Sequence, residues 1–296
     1  MLSAASCERS RMDGKLSRKG DDRRTLLVRA WFDCFEHLLQ VLQPFGAESG
    51  EWLAVFIRCL RGAVRTARVA STDAVSAPGN HRILTMTTLL QPQAAYELWA
   101  DTYAASAHNP LMQSEETVVE RVIRGIVASR ALDVGTGSGR YLPILATTGA
   151  TVVGVDLSMP MLRCGAGPRI CANACALPFR RATFQLVNAS LMVGDVKDLR
   201  GWTAEMARVL SLGGHLIYSD FHPVWTEQGW QRTFRDATGE LRAVAFEPHT
   251  IDDHLAALAA AGLTVRAIRE PRLTIKRREL PVLAIFHAVK EASPGT

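Results

Sequence analysis

Asp133, Gly135, Gly137, Gly139 and Asp156 are the residues of this 296-residue chain whose types and spacing suit chemistry. Four of them fall in the run ALDVGTGSGRY from Ala131 to Tyr141, which reads as a buried strand breaking into a glycine-rich turn that starts a helix. Glycines at alternate positions reach φ > 0 and let a ligand approach the backbone, and a helix start offers unpaired N–H groups. The pattern is that of a nucleotide-cofactor loop. A dinucleotide fingerprint, GxGxxG, would put its third glycine at Arg140, whereas here it arrives at Gly139 and an acid precedes the first glycine by two. A nicotinamide-dependent oxidoreductase is therefore the weaker reading.

Asp133 stands where strand meets loop, so its carboxylate can accept hydrogen bonds from the glycine backbone or from a cationic ligand end. A pyrophosphate has no such end, and S-adenosylmethionine has one. Seventeen residues past Gly139, Thr151 to Ser158 reads as a second buried strand ending in Asp156, an acid placed to accept both hydroxyls of a ribose.

With these residues the sequence resembles the class I S-adenosylmethionine-dependent methyltransferases, in particular the small-molecule branch that includes the ubiquinone and menaquinone C-methyltransferases. Val155 to Leu162 is similar to that branch's second motif. Asn173, Ala174 and Leu177 to Phe179 are similar to its third, Phe184 to Val187 to its fourth, and Arg208 to Gly214 to the turn before its fifth strand. The likeness covers about residues 95 to 290. It implies a cofactor site made of Asp133, Gly135, Thr136, Gly137, Gly139, Asp156, Leu157, Ser158, Met161, Asn173, Ala174 and Asn188. Asn173 and Gln185 stand where the family usually has acids. An amide oxygen at Asn173 still accepts from an adenine amino group, while Gln185 removes a negative charge.

The net charge of +5 divides unevenly: +4 on residues 1–85 and +1 on the remainder. The part that carries the motifs has no basic stripe to follow a phosphate backbone, so no nucleic-acid partner is expected. No apolar run reaches the ~18 to 20 residues of a membrane span, and acids and arginines are mixed through residues 8 to 24, unlike a signal peptide. A cytoplasmic protein is expected, its six cysteines as thiols. Cys164, Cys171 and Cys175 cluster without a CxxC pair or nearby histidine, so no metal site is expected. Oligomeric state is open.

The elements that must position these residues follow from periodicity and caps. Residues 1–85 read as an N-terminal extension, disordered over 1–24, with candidate helices at Leu26 to Leu42 and Trp52 to Val69 and a small-residue linker at Ser71 to Asn80. A domain follows over 86–292. A helix from about Ser114 buries Val118, Val119, Val122, Ile123, Ile126 and Val127. Strands are expected at Arg130 to Val134, Thr151 to Asp156, Phe184 to Ala189, His215 to Asp220, Leu263 to Ile268 and Val282 to Val289, with helices capped by Ser158, Asp195 with Asp198, and Thr250 with Asp253. Strands separated by helices predict an α/β fold: a doubly wound, mostly parallel sheet with helices on both faces, which the resemblance makes a seven-stranded Rossmann-like methyltransferase sheet.

Two segments flank that sheet. Tyr96, Trp99 and Tyr103 share one helical face in the segment 95–112, which by the resemblance is a lid whose aromatics can hold a sulfonium. The insertion 221–249 follows the sheet's carboxyl edge and offers Trp225 and Trp230 as a substrate wall. Asp220 and His222 are the acid and histidine at that edge, hence the candidate catalytic proton acceptors. The expected activity is transfer of the S-adenosylmethionine methyl group to a small, apolar or aromatic metabolite by in-line displacement. A carboxyl O-methyltransferase acting on a carrier-bound acid is the alternative within the class. A non-catalytic cofactor-binding or scaffold protein is the alternative outside it.

Overall fold

A computed structural model of the protein describes residues 87–291; the expected N-terminal helices, the linker and the start of the domain at Met86 lie outside the described residues. The body is a seven-stranded mixed sheet. Its strands are β2 (Arg130–Val134), β3 (Thr151–Asp156), β4 (Arg169–Cys171), β5 (Phe184–Ala189), β6 (Leu210–Phe221), β9 (Leu263–Arg269) and β12 (Leu283–Lys290), in the order β4-β3-β2-β5-β6-β12-β9. Pairings from β4 through β6 are parallel, while β12 runs antiparallel to both β6 and β9.

The central strands are buried on both faces, as a helix-covered parallel sheet requires, and their sequences are accordingly near-continuous apolar runs. Beside the sheet stand α2 (Pro110–Ile123), the short α3 (Leu142–Ala146) and α4 (Met159–Arg163), α5 (Leu199–Val209) and, after the one-turn α6 (Val224–Glu227), α7 (Ile251–Ala260). The caps at Ser158, Asp198 and Thr250 are in place, the last as a reciprocal capping box with Asp253. Helix α2 starts four residues earlier than its apolar period suggests, because Asn109 accepts from the Met112 N–H and Pro110 occupies the first turn. It also ends early, leaving Val127 92% exposed beyond it. Leu210 to Gly214, expected as a turn, instead opens β6, whose register against β5 shifts between Phe184 and Leu186.

A second, smaller assembly stands apart from the main core. Strand β1 (Thr88–Leu90) pairs parallel with β8 (Leu241–Val244), which pairs antiparallel with β7 (Arg232–Arg235). Helix α1 (Pro92–Trp99) packs Ala95 and Trp99 with Phe234, Val244 and Leu90 in a core of their own. A turn at Asp236 to Gly239 closes the β7–β8 hairpin. A further hairpin, β10 (Arg272–Ile275) with β11 (Arg278–Pro281), packs Leu273 and Ile275 against the main core.

Candidate functional site

A cavity of about 950 Å³ lies at the carboxyl end of the parallel strands, bounded by the glycine loop, α1, the β7 strand and the β10–β11 hairpin. This is where an open α/β sheet binds its ligands. Strand β2 delivers Asp133, 2% exposed, to the cavity floor. Its register partner Asn188 on β5 donates Nδ2–H to Asp133 Oδ1 at 2.8 Å. Asn188 is itself fully buried and does not line the cavity; its hydrogen bond orients the acid.

The loop after Asp133 turns through glycines with φ of 69°, 52° and 89° at Gly135, Gly137 and Gly139. At Gly135 a β-carbon would come within 2.7 Å of Met192 Cβ and Cγ, so both conformation and space demand glycine. Gly137 donates its N–H to Asp156 Oδ2 at 2.8 Å, and Ser158 donates its own to Oδ1 at 2.8 Å. Asp156 thereby locks the loop to the end of β3 and keeps lone pairs free on each oxygen for two further donors. Gly139 supports the turn by donating to Thr136 O at 2.8 Å and lies off the cavity wall. Since α3 begins only at Leu142, the loop backbone from Gly135 to Ser138, rather than a helix terminus, faces the cavity.

Burial pushes the Asp133 carboxyl up to about 6, against the lowering effect of the hydrogen bond from Asn188. Asp156 is raised by the same desolvation, offset by the Ser158 and Gly137 N–H groups. Asp195 is raised too, despite its ion pair with Arg232. Four carboxylates, Asp133, Asp156, Asp195 and Asp198, line the cavity with three cations, Arg140, Lys197 and Arg232. Arg140 is already held by Glu115 at 2.9 Å and Glu116 at 3.0 Å. The balance is negative, which favours a cationic ligand and penalises an anionic one.

Sequence reading passed over Glu115, which is fully buried and central to the site. Its Oε2 accepts from Arg140 Nη2 and from Tyr141 OH at 2.8 Å, and its Oε1 accepts from Ser219 Oγ at 2.7 Å. Ser219 Oγ in turn accepts from Leu191 N at 2.8 Å, in a loop where Leu191 has φ 56°. One side chain thus ties α2 to the glycine loop, to β6 and to the Ser190–Met192 wall. The signal that exposes it is an arginine directly after the last loop glycine, which needs a buried counter-charge.

Of the three aromatics expected on one helical face, Tyr96 and Trp99 stand on α1, while Tyr103 lies beyond its end, after a short 3-10 turn. Tyr96, Trp99 and Tyr103 all line the cavity; Trp99 stacks on Phe234 at 4.7 Å and on Tyr96 at 5.9 Å. Arg232 fastens this group to the body through Asp195, Ala245 O and Tyr96 OH. Leu157, Ser158, Met161, Asn173 and Ala174 form the wall beside Asp156. The Asn173 side chain caps its own turn by accepting from Cys175 N. Leu111, Phe221, Trp225, Leu273, Ile275 and Val282 add apolar lining.

Trp225 is fixed by a hydrogen bond from Nε1 to Val282 O at 2.9 Å, whereas Trp230 packs behind it against the main core and off the cavity wall. Asp220 and His222 are also off that wall. Asp220, 2% exposed, turns into the protein to meet His254 Nε2 at 3.2 Å, and its Oδ1 accepts the Phe221 N–H. His222 turns outward to Glu270 at 2.9 Å while its Nδ1 accepts from Val224 N. Gln185 sits at the far, amino end of β5, accepting from Ser129 Oγ and Arg130 N, so its missing charge is not missing from the site. Among the described residues no group of three or more His, Cys, Asp or Glu is arranged to hold a metal ion, and no helix is long and apolar enough to cross a membrane.

Residues 132–218 match a family model described as a methyltransferase domain. The chain is 39% identical over 95 residues to a demethylmenaquinone methyltransferase of Corynebacterium urealyticum, covering 31% of this chain and 41% of that protein. It is 33% identical over 114 residues to the one of Renibacterium salmoninarum, covering 36% and 48%. The chain thus spans about half the length, or less, of the curated relatives it matches. A solved structure from Pyrococcus horikoshii superposes with a TM-score of 0.51 at 17% identity, covering 67% of this chain and 99% of that one. A putative S-adenosylmethionine-dependent methyltransferase from Listeria monocytogenes does so at 0.50 and 20%, covering 61% and 99%. The fold is the Rossmann-like α/β fold of class I S-adenosylmethionine-dependent methyltransferases, and about a third of the chain is homologous to the demethylmenaquinone methyltransferases.

Proposed function

We propose that the protein transfers the methyl group of S-adenosylmethionine to a small, neutral, apolar or aromatic acceptor. One observation carries this reading. One cavity is lined both by buried carboxylates with a glycine loop and by apolar and aromatic side chains, so a cationic cofactor and an uncharged acceptor can meet inside it. The residues present fit the cofactor: Asp156 keeps acceptor capacity for ribose hydroxyls, Gly135 leaves room a side chain would fill, and Asp133 takes a cationic end.

Bound there, S-adenosylmethionine supplies an already activated methyl group. What remains for the protein is alignment, with the Ser190–Met192 wall fixed by Ser219 and Glu115 and the acceptor held by Phe221, Trp225 and the β10–β11 hairpin. The assembly of α1, β1, β7 and β8 covers the cofactor end and excludes water. Proton removal by Asp220 or His222 is not required, and both face away from the cavity. The test is incubation of the protein with methyl-labelled S-adenosylmethionine and a metabolite extract, followed by mass spectrometry for products that gain one labelled methyl. Demethylmenaquinone, the acceptor in the homologous enzymes' name, is the first to assay. A cofactor-binding protein that yields no labelled product from the extract or from any apolar acceptor refutes the proposal.

A further inference from the structure

The β10–β11 hairpin has two ends with opposite chemistry. Its stem contributes Leu273, Thr274 and Ile275 to the cavity wall. Its tip is Lys276, Arg277 and Arg278, three consecutive exposed cations, with Arg278 directly across the register from Ile275. The bases therefore begin within one residue of the apolar wall. None of the three forms an ion pair among the described residues, and exposed Arg269 and Arg272 stand in the adjoining strand and stem. The acids nearby are Glu270, engaged by His222, and Glu279, which accepts from Thr274. Counting Arg269 to Glu279, five cations face two acids.

Lys276 and Arg277 have φ of 49° and 64°, so they occupy the two central positions of a tight turn where Asn and Gly would be unstrained. Local stability does not account for cations there. We infer that the tip docks on an anionic lipid bilayer and sets the mouth of the cavity against it. A narrow tip with like charges spread along it matches the continuous negative plane of a headgroup layer, and the wall behind it suits an acceptor that partitions into the acyl phase. This rests on the proposed apolar acceptor, because a polar acceptor would give the cavity no reason to face lipid.

The experiment is co-sedimentation of the full chain with vesicles of phosphatidylglycerol and phosphatidylcholine in equal parts, beside vesicles of phosphatidylcholine alone. The variant Lys276→Asn, Arg277→Gly, Arg278→Ser removes the charge while supplying residues the turn prefers, so the hairpin keeps its shape. Each base near an anionic surface contributes a factor of about five, so the variant is expected to bind the anionic vesicles about a hundredfold more weakly. The parent chain is expected to bind neutral vesicles negligibly and to lose the anionic ones in high salt. Equal sedimentation of parent and variant overturns the inference. So does a parent chain that ignores anionic vesicles, which would leave an acidic protein as the occupant of the tip. Calorimetric titration of the same preparations with S-adenosylmethionine reads the methyl-transfer proposal separately, since the tip does not touch the cofactor end.

Discussion

Lowering the pH from 7 to 5 should weaken S-adenosylmethionine binding by about tenfold, because the carboxylate facing the cationic ligand becomes protonated. Asp133 in the free protein titrates near about 6, raised by burial. At pH 7 nearly all of it is ionised, and at pH 5 about one-tenth is, which corresponds to about 1.4 kcal/mol if only the ionised form binds. Asp156 and Asp195 are raised in the same direction and line the same cavity, so any contribution from them has the same sign. The stability linkage carries the matching sign. A carboxyl whose folded pKa lies above its unfolded value stabilises the fold fully below about pH 4, and that stability is lost as the pH rises through about 6. The unliganded protein should therefore lose about 3 kcal/mol over that window from this group, and the cofactor should restore more at pH 7 than at pH 5. Calorimetric titrations at pH 5, 6 and 7 and constant ionic strength measure the effect, with Asp133→Asn expected to flatten the slope. An affinity that is constant across the range, or that rises toward acid, would refute the placement of a cationic group against Asp133.

Asp156→Ala should weaken cofactor binding by about 1.5 to 3 kcal/mol with the fold intact, and unchanged affinity by calorimetry would remove the ribose assignment. Gly137→Val should abolish measurable binding, since valine resists the φ of 52° and its methyls extend toward Met161; tight binding would contradict the loop geometry. Glu115→Ala leaves Arg140, Tyr141 and Ser219 without their shared acceptor and should cost about 3 to 5 kcal/mol, read as a fall in Tm of about 10 °C. A loss below about 1 kcal/mol would show that water replaces the carboxylate. His222→Ala should alter kcat tenfold or less, as its ring is bonded to Glu270 outside the cavity; a loss of about 10² or more with a changed pH profile would reinstate it as a base.

The glycine loop is legible in the sequence because its determinants are local. Asp133, Gly135 and Gly137 fall in one run, with the glycines at φ > 0, and Asp156 ends the next strand of the sequence, so each is read from its immediate neighbours. Which way a strand-end side chain turns is not local. Asp220 turns toward His254 on α7 and His222 toward Glu270 after β9, partners 34 and 48 residues away, and Asn188 is buried by its register with Asp133. Glu115 reads as one more polar residue of an amphipathic helix until Arg140, 25 residues on, is placed against it. The β10–β11 hairpin escapes notice because Lys276 and Arg277 lack the Asn and Gly that announce such a turn.

The pairing of β1 with β8 has a kinetic consequence. Thr88 lies against Arg242, so a strand entering the domain waits for one that follows five strands of the body, and the pair is only three residues long. Parallel contacts between segments so distant in the chain form late, and so few hydrogen bonds leave little local stability once formed. Amides of β1 and β8 should accordingly exchange with solvent far faster than those of β5 and β6. The three-stranded assembly should thus be the last part of the described domain to be built and the first to come undone, opening the cavity while the Rossmann body stays folded.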